Sequence, residues 1–249
     1  MRHILFPLAG LFLVTPIARA DDAADAKAIV EKAIKARGDK PDAKFGAMTW
    51  QDKGKFTGGG FELPYTAEWA FQSPDKYRFV FTGTFGDAKI TMTVVVNGEK
   101  AWQADGIKVE EITGEKLTQT VNEAYQFRVS ALTPLLTDKG FTLATANGKD
   151  VGKKPTVAVK VTHEKKPAIT LYFDKDSGLL VKRELIVKDE FQKWKEVLDE
   201  AYFSDYKEAN GKKHFTKLKI VRDGKPMIEA TLFDAKETEK LDAKLFEKP

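Results

Sequence analysis

The chain has 249 residues, 41 Lys and Arg against 37 Asp and Glu, and no cysteine. A formal charge of +4 with both signs interspersed is not the clustered basic face of a dedicated nucleic-acid binder. Zero cysteines exclude disulfides and thiolate metal sites, so an exported form must hold together by its core alone.

Residues 1–20 read as a secretory signal peptide. Arg2 and His3 precede an apolar run from Ile4 to Ile17, and Ala18-Arg19-Ala20 supplies a small-x-small cleavage site. The run is too short to span a membrane, and Pro7, Gly10 and Pro16 make it a poor buried helix. The mature chain is predicted to be one domain, 21–249, released to the periplasm or outside the cell. Loss of Arg2 and Arg19 lowers the charge from +4 to +2. No cysteine follows the run to carry a lipid anchor, and no later stretch is long and apolar enough to cross a membrane.

Asp25 to Arg37 carries apolar residues at Ala26, Ile29, Val30, Ala33 and Ile34, the spacing of an amphipathic helix. Gly38 stands where a left-handed C-cap belongs. From Phe45 the period changes to that of strands. Phe45–Gln51 and Phe61–Phe71 flank Gly58-Gly59-Gly60, and Pro64 marks an edge or bulge. Tyr77–Thr82 and Ala88–Val96 follow, then Glu99–Ala104 and Ile107–Ile112 around Asp105-Gly106. Asn97-Gly98 between apolar runs is a strong hairpin signal.

Helical spacing returns over Glu115–Leu136, with Thr113 as N-cap and a stripe of Leu117, Val121, Ala124, Tyr125, Leu132, Leu135 and Leu136. Arg128 interrupts the stripe, and Pro134 bends or ends the last turn. After Gly140 the chain alternates again, with Val157, Val159 and Val161 on one face and Ile169, Leu171 and Phe173 on another. Asp174–Gly178, Asn210-Gly211 and Asp223-Gly224 are turns between further strands. Leu241, Leu245 and Phe246 are placed to pack back on the sheet.

The sum is mostly β with α: a half-open, curved antiparallel barrel of about eleven strands, with the helices as a lid over its concave side. A sheet that large curls rather than staying flat.

Catalytic signals are weak. His163 and His214 are far apart, no G-x-S-x-G elbow marks a serine, and both histidines read as exposed residues near turns. Asp174-Lys175-Asp176 lacks the rest of a calcium loop, and Gly58-Gly59-Gly60 has no following Lys-Ser or helix to cradle a phosphate. Neither a catalytic residue, a metal nor a cofactor is assigned. What remains is bulk: Trp50, Trp69, Phe71, Tyr77, Phe79, Phe81, Met92, Val94, Val96 and Trp102 crowd the first half. Side chains of this kind inside a large sheet either fill it or line a pocket for one apolar ligand.

Three segments then carry a family resemblance. They are Trp69-Ala70-Phe71-Gln72-Ser73-Pro74-Asp75-Lys76-Tyr77-Arg78, Val96-Asn97-Gly98-Glu99-Lys100-Ala101-Trp102, and Phe173-Asp174-Lys175-Asp176-Ser177-Gly178-Leu179-Leu180. In this order they resemble the periplasmic lipoprotein-carrier family (LolA/LolB-like). The resemblance implies an open barrel with a helical lid, and lipid or lipoprotein acyl chains as partner. The family's arginine before the proline is Ser73 here, which cannot supply a guanidinium's donors. The ligand-binding candidates are Trp69, Phe71, Phe79, Phe81, Met92, Val94 and Trp102 on strands, with Tyr125 and Leu132 on the lid. The alternative reading is an interaction domain of the cell envelope with a filled core.

Overall fold

The computed structural model describes residues 20–249. The predicted signal peptide lies outside the described residues, apart from its last residue, Ala20. Helix α1 spans Ala20–Arg37. Six strands follow: β1 Ala47–Gly58, β2 Phe61–Gln72, β3 Lys76–Phe85, β4 Ala88–Asn97, β5 Lys100–Ala104 and β6 Val109–Glu111. Helices α2 (Gly114–Ser130) and α3 (Pro134–Thr137) lead to β7 Phe141–Ala146, β8 Thr156–His163, β9 Ile169–Asp174, β10 Leu180–Asp189, β11 Lys195–Ala209, β12 Lys212–Arg222 and β13 Lys225–Thr238.

All thirteen strands belong to one antiparallel sheet in the order β6-β5-β4-β3-β2-β1-β13-β12-β11-β10-β9-β8-β7. Two meanders, β1–β6 and β7–β13, are joined by the single non-sequential pairing of β1 with β13. The edges β6 and β7 do not pair, so the sheet is curved and open rather than closed. The count exceeds the expected eleven because the short β5 and β6, with five and three residues, are full members of the ladder. Register breaks at Thr49/Gln51, Leu180/Lys182 and Ile220/Val221 fit this curvature, since bulges bend and twist a strand.

The topology dictates where the lid lies. β6 and β7 are opposite edges, yet consecutive in the chain. Their connection is α2 and α3, which reach the other edge by crossing the concave face. Arg128, which interrupts the apolar stripe, donates to Asp138 at 2.7 and 2.9 Å and sits over the Phe141 ring, fastening the end of α3 to β7. The predicted single helix over Glu115–Leu136 is two: α2 ends at Ser130, Leu132 adopts φ +68, and Pro134 opens α3. Pro fits a first helical turn, where its missing N–H is not needed. Thr113 occupies the N-cap position of α2, but its side chain makes no cap hydrogen bond.

Turn chemistry explains the hairpins. Asn210-Gly211 and Asp223-Gly224 have positive φ at both residues, the form whose twist matches paired strands. At the β4–β5 hairpin the two-residue loop is Gly98-Glu99, with glycine at φ +66, one residue later than Asn97-Gly98 suggested. Pro64 lies within β2, but the pairing with β3 begins only at Tyr65. The proline therefore has no ladder partner on that side, as an edge position requires.

The end of α1 is closed by two carbonyls. Gly38 donates to Lys35 and Asp39 donates to Ile34, with Gly38 at φ +96, so the helix stops in the left-handed form that glycine tolerates. The same glycine touches the β11–β12 turn: a Cβ there would lie 2.3 Å from the Gly211 carbonyl oxygen. Gly38→Ala is therefore expected to cost about 2 kcal/mol or more in denaturant unfolding, since backbone strain and a backbone clash act together. A loss below about 0.5 kcal/mol would contradict this contact.

Candidate functional site

The interior divides into two apolar clusters. The first is a solid core: Ala26, Val30, Ala33 and Ile34 of α1 pack with Val159, Val161, Ile169, Leu171, Phe173 and Phe203 of the second meander. The second cluster belongs mostly to the first meander, with Trp50, Tyr65, Phe71, Tyr77, Val94 and Val96, and draws Ala230 and Leu232 from β13. Helix α2 stands between them and serves both. Leu117, Val121, Ala124 and Phe127 face the second cluster, while Tyr125 and Val129 face the first. Alternation along strands brings the wall together: Trp69 pairs with Trp50 across β1 and with Phe79 across β3, and Phe79 pairs with Val94.

α1 fills one half of the concave face, but α2 does not fill the other. What remains is a cavity of about 600 Å³ between the aromatic wall of β1–β4, the inner faces of β11–β13 and the lid. Its walls include a stacked pair, Trp50 and Trp69, at 5.4 Å between centroids, Phe79 at 4.1 Å from Trp69, and Tyr65 stacked on Phe81 at 5.1 Å. Phe127 from the lid presents its edge to Trp50 and Trp69 at 5.4 and 5.5 Å. Phe61 and Phe191, both lining residues, are also exposed, so the cavity reaches solvent beside the β1–β2 turn.

Of the sequence candidates, Trp69, Phe71, Phe79, Phe81, Met92, Val94 and Leu132 line this cavity. Leu132 does so from the α2–α3 link rather than from the helix itself. Trp102 does not face the cavity. It pairs with Val95, one residue out of phase with Val94 and Val96, and points to the convex side. There it packs with Ala70, Val95, Leu241, Leu245 and Phe246 under the C-terminal tail, which Asn97 and Gln72 tie down by hydrogen bonds to the Phe246 carbonyl and the Leu241 amide. Tyr125 does not line it either. Its ring stacks on Phe141 and meets His163 on the far side of α2. The histidines are half-buried rather than exposed: His163 lies edge-on to Phe141, and His214 lines the cavity, where burial lowers its pKa.

The cavity also holds polar groups that sequence reasoning did not assign. Asp52 sits in the apolar wall, 3% exposed. Trp69 Nε1 donates to its Oδ2 at 2.7 Å, while Oδ1 has no hydrogen-bond partner among the described residues. Burial pushes the carboxyl up to about 6, and the pulls of Trp69 and Tyr65 offset this only in part. Tyr77 donates to Glu123 at 2.9 Å, and burial raises that carboxyl as well. Asp199 is bound by Arg222 at 2.9 Å, and Arg183 on β10 donates to Ser130 Oγ of the lid at 3.2 Å. Asp52 had a signal: it continues the alternation of Met48 and Trp50, but the strand was ended one residue short. Arg183 had none, since Lys182-Arg183-Glu184 puts charge on both faces.

No family model matches the sequence, and no curated protein matches it. Solved structures do. The chain is similar to a LolA superfamily protein from Nitrosomonas europaea, with 10% identity, 90% of this chain and 97% of that one covered, and a TM-score of 0.57. A DUF1329 family protein from Desulfovibrio piger gives 13% identity, 89% and 97% coverage and 0.57. A Vibrio parahaemolyticus domain, provisionally assigned to outer membrane lipoprotein sorting, gives 12%, 91% and 97%, and 0.58. The fold is LolA-like.

Asp52 yields a pH prediction. Its folded pKa lies above the ordinary 3.8, so the folded state holds the extra proton between about pH 4 and 6. Its contribution to stability is greatest below that window and is lost as pH rises through it. Asp52→Asn should therefore gain on wild type by about 1–3 kcal/mol between pH 4 and pH 8 in denaturant unfolding. Parallel pH profiles for the two proteins would contradict the assignment.

Proposed function

We propose that this is an exported, non-catalytic binding or carrier protein for an apolar ligand, with lipid or lipoprotein acyl chains as the ligand class. The observation that carries the reading is the aromatic-walled cavity of about 600 Å³ between sheet and lid. Its size falls in the range of about 300–1,000 Å³ usual for small-molecule sites. Trp69, Phe71, Phe79, Phe81, Met92, Val94 and Leu132 are the proposed contacts. Each methylene moved from water into such a space contributes roughly 0.8 kcal/mol, less the entropy of ordering the chain.

The LolA-like fold supports this reading, and the predicted leader adds an export route to the periplasm or beyond. Among the described residues no helix is long and apolar enough to cross a membrane. An interaction domain with a filled core gains no support from an interior that leaves this space open.

Tryptophan positions give the test. Trp50, Trp69 and Trp194 are in the cavity wall and Trp102 is on the convex face. A brominated fatty acid should quench the protein's fluorescence saturably. Trp102→Phe should keep most of the quenching, and the triple variant Trp50→Phe/Trp69→Phe/Trp194→Phe should lose most of it. Absence of saturable quenching in wild type would sink the reading, and quenching that follows Trp102 would move the ligand to another face.

A further inference from the structure

Among the described residues, one buried cation of the cavity wall is left without an ion-pair partner. Arg183 lines it and is only 7% exposed. Among the described residues its sole hydrogen bond is the one from Nη1 to Ser130 Oγ at 3.2 Å, and Nε, fully buried, has no partner there. It takes part in none of the ion pairs among the described residues. A guanidinium cannot shed its charge, and burying one unpaired is costly, so buried arginines are ordinarily paired.

The nearby carboxylates do not fill the gap. Asp199 is held by Arg222 at 2.9 Å, and Arg222 also reaches Asp189 at 3.7 Å. Glu123 accepts from Tyr77, and burial moves it toward its neutral form. Arg183 feels Asp199 and Glu123 only at longer range, and its own desolvation outweighs them. The other groups of the cavity wall are mostly apolar and aromatic. The site thus offers a planar, cationic fork with an unused donor beside a greasy surface.

We propose that Arg183 binds the anionic head of an amphiphile, a carboxylate or a phosphate, whose hydrocarbon tail lies along the Trp69–Phe79 wall. The inference rests on the apolar-ligand reading and narrows it to ligands with a compact negative head. Charge-assisted, fork-like hydrogen bonds to such an oxyanion are stronger than neutral ones and would occupy the open Nε. The head would also lie against Ser130, coupling occupancy to the C-terminal end of α2.

The test compares three single-tailed probes of equal length below their micelle concentrations: dodecanoate, dodecyl phosphate and dodecanol. Calorimetric titration of the full chain should show at least one anion binding about tenfold or more tighter than the alcohol, and the better anion names the head. Arg183→Gln should weaken that anion by about tenfold and leave dodecanol unchanged. Its thermal midpoint should not fall, because removing an unpaired buried charge costs the fold little, whereas a purely structural arginine would lower it. Equal binding of alcohol and anions by wild type, or an anion preference that survives Arg183→Gln, would overturn the headgroup assignment while leaving the apolar cavity standing. Binding of none of the three would overturn both.

Discussion

The structure depends on a mismatch of lengths. Twelve inter-strand steps of about 4.8 Å give an unrolled sheet nearly 60 Å wide, while a 17-residue helix is about 26 Å long. Curling shortens the gap without closing it, because β6 and β7 never meet. Two helices must cover one continuous concave face. α1 does so tightly, with Ala26, Val30, Ala33 and Ile34 at 1% exposure or less against the second meander. α2 has to serve both clusters and fills neither of its sides alone. The space over β1–β4 follows from that division of labour.

The cavity wall is not a uniform apolar surface. Asp52 and Arg183 are each buried at a place where an aliphatic side chain would pack more cheaply, and each carries an atom with no partner among the described residues. Buried polar groups are normally satisfied, and exceptions call for an explanation. Among the described residues four such atoms occur, and two of them, Asp52 Oδ1 and Arg183 Nε, lie in this cavity. On the convex side, by contrast, Lys182, Glu184, Glu200 and Tyr172 form a network in which Lys182 reaches both carboxylates at 2.6 Å and Tyr172 donates to Glu184. The fold can pair its charges where it has them to pair, which makes the unpaired guanidinium of the interior the more informative group.

Much of this was legible in the residues. Turn dipeptides and alternation located the strands, and Gly38 marked the end of α1 where the structure ends it. The aromatic crowd from Trp69 to Val94 forms one side of the cavity wall. Phase errors account for the misses. Trp102 lies beyond the Gly98-Glu99 turn, and only the Val95–Trp102 pairing shows that it faces outward. Tyr125 belongs to an apolar stripe wide enough to serve two cores, so sequence spacing could not say which side met the cavity. Phe127, the lid's contact with both tryptophans, sat beside Arg128 in what read as a break. Contacts set by the β1–β13 closure, such as Leu232 opposite Asp52, depend on a pairing between distant strands that no local signal specifies.

The central claim is that the seam between α2 and the aromatic wall is room for a guest. Lipid extraction and mass spectrometry of the protein purified from its native host test it most directly. A stoichiometric amphiphile, lost when the cavity is blocked by a bulky substitution at Val94, is the predicted result. A protein that carries no lipid at any stage of gentle purification, and takes none up when lipids are offered, would contradict it.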